Sequence, residues 1–243
     1  MKFGSADFVA EKEAQVLPSF PLFLARVFLH DVFAVGMLPI TGVLVYAILH
    51  TLFLGLGAHA VVSPLLALIL VPVVLVTSCV VLKRVVVGSQ WGSAHSTPFW
   101  SLRHFSYFFA QDCFFAWCGR VMRALAGTVL PNLVLRRMGC RVGRRTIVTA
   151  PLQAFDWNAV SFGDDCMIVG LLQFHSFENM TLKVKRTEIQ DGSSVGFGAT
   201  VMGGAVIESE SVVQPLSMVM KGMRLPTATY EGNPAELART LTR

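Results

Sequence analysis

Charge is what this sequence lacks most. Only 14% of its 243 residues are Asp, Glu, Lys or Arg, against 53% hydrophobic. A soluble globular domain carries about 25% charged residues. The shortfall excludes a disordered chain and an ordinary cytosolic enzyme. Cysteine is sparse and odd in number, five in all, which excludes a disulfide scaffold. No charged side chain occurs from Val32 to Leu82. Also missing are a glycine-rich phosphate loop ending in Gly-Lys-Ser/Thr, a Gly-x-Ser-x-Gly elbow and a His-Glu-x-x-His pair, so those three chemistries have no carrier. No cluster with metal-ligand spacing is present, and no metal is expected.

The uncharged run is long enough for two membrane helices, each needing about 20 apolar residues. The small, turn-prone stretch Gly55–His59 divides it, giving a hairpin of roughly 30–54 and 61–82. Asp7, Glu11 and Glu13 precede it, and the apolar region is far longer than a signal peptide's. The net charge of +5 is uneven. Residues 83–145 hold ten basic groups against Asp112 alone, whereas the segments before and after are slightly acidic. By the positive-inside rule this block, and with it both termini, faces the cytoplasm. Aromatics crowd the same region: Trp91, Trp100, Phe105, Tyr107, Phe108, Phe109, Phe114, Phe115 and Trp117. Aromatic and basic groups together suit the headgroup layer, so membrane lipids rather than nucleic acid are the expected partner. The segment from Arg120 to Arg137 has the alternation of an interfacial helix, which Pro131 should interrupt.

After residue 139 the pattern changes. Ile189, Val195, Val201, Ile207, Val213 and Val219 stand six residues apart, and a small residue follows four later: Ser193, Ala199, Ala205, Ser211, Ser217. Val142 and Val148, then Phe162, Ile168 and Phe174, continue the spacing upstream. A period of six fits neither a helix nor an isolated strand. It fits a parallel β-helix in which three short strands close one coil and each sends one aliphatic side chain inward. Glycines at 192, 196, 198, 203 and 204 argue against a helix, where each costs about 1 kcal/mol. The counted hexads make about three coils, near the minimum for a stable stack. The frame breaks at 151–159 and again at about 176–188. Segments expelled from a regular stack are a common place for function.

Two stretches, residues 189–213 and Glu231-Gly-Asn-Pro-Ala-Glu236, resemble the hexapeptide-repeat acyltransferases. A longer series resembles the C-terminal membrane-embedded module of poly-ε-lysine-synthetase-type non-ribosomal peptide synthetases. It comprises residues 82–88, 92–101, 126–145, 154–166, 171–179 and 215–235. The resemblance implies a membrane α-helical hairpin followed by an all-β left-handed parallel β-helix. The expected organisation is an N-terminal cytoplasmic segment (1–27), a transmembrane hairpin (28–83), a basic aromatic interfacial collar (84–138), the β-helix (139–236) and a tail (237–243). It also implies an acyl or aminoacyl transferase that makes an isopeptide amide from a thioester on coenzyme A or on a carrier protein's phosphopantetheine. A partner supplying adenylation and carrier functions in trans, and a homo-oligomer (trimer, with a dimer as the other option), follow from the same resemblance. The other readings are simple acetyl or acyl transfer from coenzyme A to a small amine or sugar, and a non-catalytic membrane scaffold.

His175 opens the second frame break, and a neutral imidazole suits a general base for an attacking amine. Glu178, three residues on, is expected to orient it. Asn179, at the end of the same motif, is taken as a substrate contact. Asp156, in the first break, would bind a substrate ammonium or stabilise a turn. The resemblance adds His95 as a substrate-side residue near the membrane, and Lys221 and Asn233 as contacts to the pantetheine arm. Each has a structural alternative: His175 as a corner hydrogen bond, His95 as interfacial packing, Lys221 as a solvated face.

Overall fold

The computed structural model describes residues 21, 24–25, 28–54, 59–88, 94–98, 101–149 and 157–238. Their contacts divide into two compact units, one within 17–87 and 105–124, the other within 88–104 and 125–243. The turn expected at 55–59 lies mostly outside the described residues.

The first unit is helical. A π-helical turn, Phe28–Val35, leads into α1 (Gly36–Phe53), and α2 (His59–Val86) packs beside it. Val32–Phe53 and Val61–Val86, 22 and 26 residues, are long and apolar enough to cross a membrane. Pro39, Pro64 and Pro72 sit inside these helices without ending them. Helix α3 (Leu102–Ala124) carries seven of the nine clustered aromatics, and Trp91 and Trp100 lie outside the described residues. Several of those aromatics do not lie at a surface: Tyr107, Phe114 and Trp117 are buried, and Trp117 Nε1 donates to the carbonyl of Ala34 at 2.6 Å. Cys79, Cys113 and Cys118 are buried free thiols in the same unit.

The second unit is the left-handed parallel β-helix. Successive coils pair in parallel through three sheets. The first runs Arg141–Val142, Val160–Phe162, Thr187–Ile189, Val206–Ile207 and Arg224–Leu225. The second runs Ile147–Val148, Met167–Ile168, Ser194–Val195, Val212–Val213 and Thr229–Glu231, closed by the antiparallel Glu236–Leu237. The third holds Leu171–Gln173, Thr200–Met202 and Met218–Val219. The hexad residues Ile189, Val195, Val201, Ile207, Val213 and Val219 are each at most 1% exposed, and Leu225 continues the series at 1%. The small residues four later are buried at the corners, where Ser193 Oγ donates to the Glu208 carbonyl and Ser211 Oγ to that of Pro226. A large side chain there would meet the neighbouring coil.

One upstream assignment changes. Val201 pairs with Leu172, not Phe174, because the chain reaches the third face four residues after Ile168 instead of six. Phe174 is still buried, and its carbonyl closes on Gly203. A Cβ at Gly203 would lie 2.1 Å from that oxygen. Gly203→Ala should therefore lower stability by about 1–3 kcal/mol. Thermal unfolding in detergent checks this, and an unchanged midpoint would contradict the packing described.

The stack is capped at its first coil by α4 (Leu130–Met138). Pro131 does not interrupt this helix: it occupies the first turn, where a missing N–H costs nothing. Asn132 Nδ2 donates to the Thr146 carbonyl at 2.7 Å, and the Arg136 guanidinium donates to the carbonyls of Val142 and Gly143 at 2.9 and 2.7 Å. Those first-coil groups have no preceding coil to pair with.

Candidate active site

A hairpin leaves the stack between the second and third coils. Its strands, His175–Glu178 and Thr181–Lys185, pair antiparallel around Asn179 and Met180. Both turn residues have positive φ, +51° and +54°. This is the two-residue turn whose twist matches a hairpin, and asparagine tolerates it well. Asn179 is exposed at that tip.

Strand Ala94–Pro98 completes a three-stranded sheet by pairing with Thr181–Lys185 over five residue pairs. No sequence pattern marks this contact, because the partners lie more than 80 residues apart in the numbering and five residues carry too short a pattern. The register sets His95 opposite Val184, and Val184 opposite His175. Two histidine positions that sequence reading treated separately thus share one cross-strand row.

Strand alternation sorts the side chains. His175, Phe177, Leu182, Val184 and Thr97 belong to one face, and all but Phe177 are buried. His175 is 8% exposed and meets Phe177 edge-on, ring centres 5.3 Å apart. His104, at the start of α3, meets Phe177 at 6.3 Å from another side. The Thr97 hydroxyl is buried and has no hydrogen-bond partner among the described residues. His104 and Thr97 escaped the sequence reading. No motif marks either: strand pairing sets Thr97 on the same sheet face as His175, and His104 reaches that face through its contact with Phe177.

Glu178 belongs to the opposite face. Residues three apart in a strand point to opposite sides, so it does not stand beside His175 as a partner. It accepts from Ser176 Oγ at 3.0 Å, from Lys221 Nζ and from Lys183 Nζ at 3.4 Å. The Lys221 ammonium, chiefly, holds the Glu178 carboxyl down at about 2. Lys221 itself, in the turn after Met218–Val219, also donates to Ser176 at 2.9 Å. The structure thus joins two candidate residues, but as a latch between hairpin and stack. A carboxylate depressed in the folded state stabilises it fully above the ordinary value of about 4.5 and ceases to do so as pH falls through about 2. Because Glu178 is 44% exposed, solvent screens most of this. Glu178→Gln should cost about 1 kcal/mol or less above pH 5 and nothing below pH 2. Unfolding midpoints across that range test it, and a pH-independent cost would oppose the latch.

Asn233 is exposed in the closing turn, joined to Pro234 by a cis peptide. Asp156 lies outside the described residues. Cys140 and Cys166 are buried in the stack, and burial pushes both thiols up, away from the thiolate a nucleophile needs. Among the described residues no three His, Cys, Asp or Glu side chains group to hold a metal ion.

No family model matches the chain. Delta-poly-L-ornithine synthetase of Acinetobacter baumannii is 30% identical over 115 residues, 46% of this chain and 8% of that protein. The mitochondrial gamma carbonic anhydrase 2 of Arabidopsis thaliana is 38% identical over 55 residues, 22% of this chain and 20% of that protein. The chain therefore spans only a small part of either relative's length. Among solved structures, a hexapeptide-repeat acetyltransferase of Vibrio cholerae complexed with acetyl coenzyme A is 15% identical, covering 51% of this chain and 86% of that one, with a TM-score of 0.38. The resemblance read from the sequence stands: the coil-by-coil pairing makes the second unit a hexapeptide-repeat β-helix, and the chain is similar over 115 residues to part of a poly-amino-acid synthetase.

Proposed function

We propose that this chain is a membrane-anchored transferase that forms an amide, specifically an isopeptide, from a thioester-activated acyl or aminoacyl donor. The reading is supported chiefly by the placement of His175, a buried imidazole on the inner face of a hairpin that the stack expels. The similarity to part of a synthetase that joins amino acids adds to it. In the reaction the acceptor amine attacks the thioester carbonyl. The new C–N bond forms as the C–S bond breaks. His175 takes the amine proton, and the thiolate of coenzyme A or of a carrier's phosphopantetheine leaves. Thr97 supplies a hydroxyl that can donate to the thioester carbonyl. Two helices apolar enough to span a bilayer would supply the anchor, and the basic block after them favours the cytoplasmic side for both termini. In this reading a partner with adenylation and carrier functions supplies the loaded donor.

The test is incubation of the detergent-purified chain with aminoacyl-loaded carrier protein, with products read by mass spectrometry. Acyl-coenzyme A with a panel of amines and sugars runs in parallel. Amide product from an aminoacyl thioester, on the carrier or on coenzyme A, supports the proposal. Acyl transfer from coenzyme A to sugars or small amines without any aminoacyl transfer moves the assignment to simple acyl transfer, and no product from any donor favours a scaffold. Thr97→Val should leave unfolding unchanged or slightly improved, since it removes an unpaired buried hydroxyl. It should lower kcat/KM by about 10-fold, the worth of one neutral hydrogen bond. Thr97→Ser should restore most of that loss, and full activity in the valine variant would remove Thr97 from the site.

A further inference from the structure

We infer that the outer face of α4 lies in the headgroup layer of an anionic bilayer, making the first coil the membrane-facing end of the β-helix. The helix has two apolar faces. Asn132, Leu135 and Met138, each at most 2% exposed, cover the first coil. On the other side Leu130 and Leu133 are 46% and 54% exposed, and Val129 just before them 59%. Arg137 follows at i+7 and i+4 from that leucine pair, on the same stripe. The outer side of a helix on a soluble domain is normally polar.

The surrounding charge decides the occupant. Arg137, Arg141 and Arg144 are exposed around this end, and among the described residues none is paired with an acidic side chain. An exposed leucine stripe beside unpaired arginines matches a surface of acyl chains under anionic headgroups. The chain also carries two helices apolar enough to span that bilayer. Coils rise by about 4.8 Å. The hairpin leaves just beyond Leu171–Gln173 in the second coil, so His175 stands within about 10 Å of the first coil along the stack.

This inference rests on the membrane reading given above, and the experiment separates the two. The full chain, in membranes, is first extracted with alkaline carbonate. Release into the supernatant would overturn the spans and this inference together. If it is retained, the chain is reconstituted in nanodiscs of phosphatidylcholine with or without phosphatidylserine. Leu130→Cys and Leu133→Cys carry an environment-sensitive fluorophore, with Phe197→Cys, on an exposed corner of the third coil, as control. The native thiols are buried among the described residues, and unsubstituted chain sets the labelling background. A lipid-borne quencher should dim the labels at 130 and 133 about twofold or more and leave the label at 197 unchanged. Combining Arg137→Glu with Arg141→Glu should weaken the contact in anionic discs, at about fivefold in partition per arginine removed, toward the level in neutral ones. Labels at 130 and 133 that only aqueous iodide quenches would overturn the inference while leaving the spans intact. Labels shielded from both quenchers would overturn it in favour of a protein covering α4. An unchanged response to charge reversal would overturn the anionic preference.

Discussion

His175→Ala lowers product formation by about 10²–10⁴-fold, the range typical for losing a positioned general base. The expectation follows from where the imidazole sits. It belongs to the packed face of the hairpin sheet, 8% exposed, in one row with Val184 and the position of His95. A base in such surroundings is fixed in orientation and kept from bulk water, so it can take the amine proton as the C–N bond forms. The variant also removes a ring that packs on Phe177, and a misplaced hairpin would mimic a chemical loss. His175→Gln, which fills similar space without a base, should be as impaired as the alanine variant. Glu178→Gln, which disturbs only the latch on the other face, should keep most of its activity. Product formation by His175→Ala close to that of the unsubstituted chain would end the assignment of His175. Equal impairment of Glu178→Gln would point to hairpin docking instead of proton transfer.

Ile207→Ala destabilises the β-helix by about 2–5 kcal/mol, the range for truncating a large aliphatic in a packed interior. Ile207 is 0% exposed and lies in register between Ile189 below and Leu225 above. In a stack each coil is held mainly by its neighbours, so a cavity at one level weakens two interfaces. Phe197 has a larger side chain but is 73% exposed at a corner, and Phe197→Ala should change stability by about 0.5 kcal/mol or less. Thermal unfolding in detergent, followed by the β-sheet signal, separates the pair. Equal shifts would mean that the interior is not the aliphatic column described.

The two predictions draw on different parts of the molecule, and the sequence revealed those parts unequally. The aliphatic column was legible because its rule is local: one inward residue per strand and three strands per coil give a spacing of six, visible without knowing any partner. The rule failed where a coil departs from eighteen residues. The short step from Ile168 to Leu172 moved Phe174 out of the position its spacing suggested. The hairpin was legible as a break in the rule, but its inner geometry was not. Counting from His175 to Glu178 suggested neighbours, as it would on a helix. A strand alternates every residue, so the same count puts them on opposite faces.

The sequence by itself determined the two long apolar stretches, the basic block after them and the hexapeptide stack, since each follows from composition or a short period along the chain. Only the tertiary structure decided what surrounds His175. It brought Ala94–Pro98 onto the hairpin, put Thr97 on the face that carries His175, set His104 against Phe177, and turned Glu178 away to Lys221. Those contacts join residues more than 40 positions apart. Backbone pairing between distant strands fixes them, and no local pattern encodes that pairing.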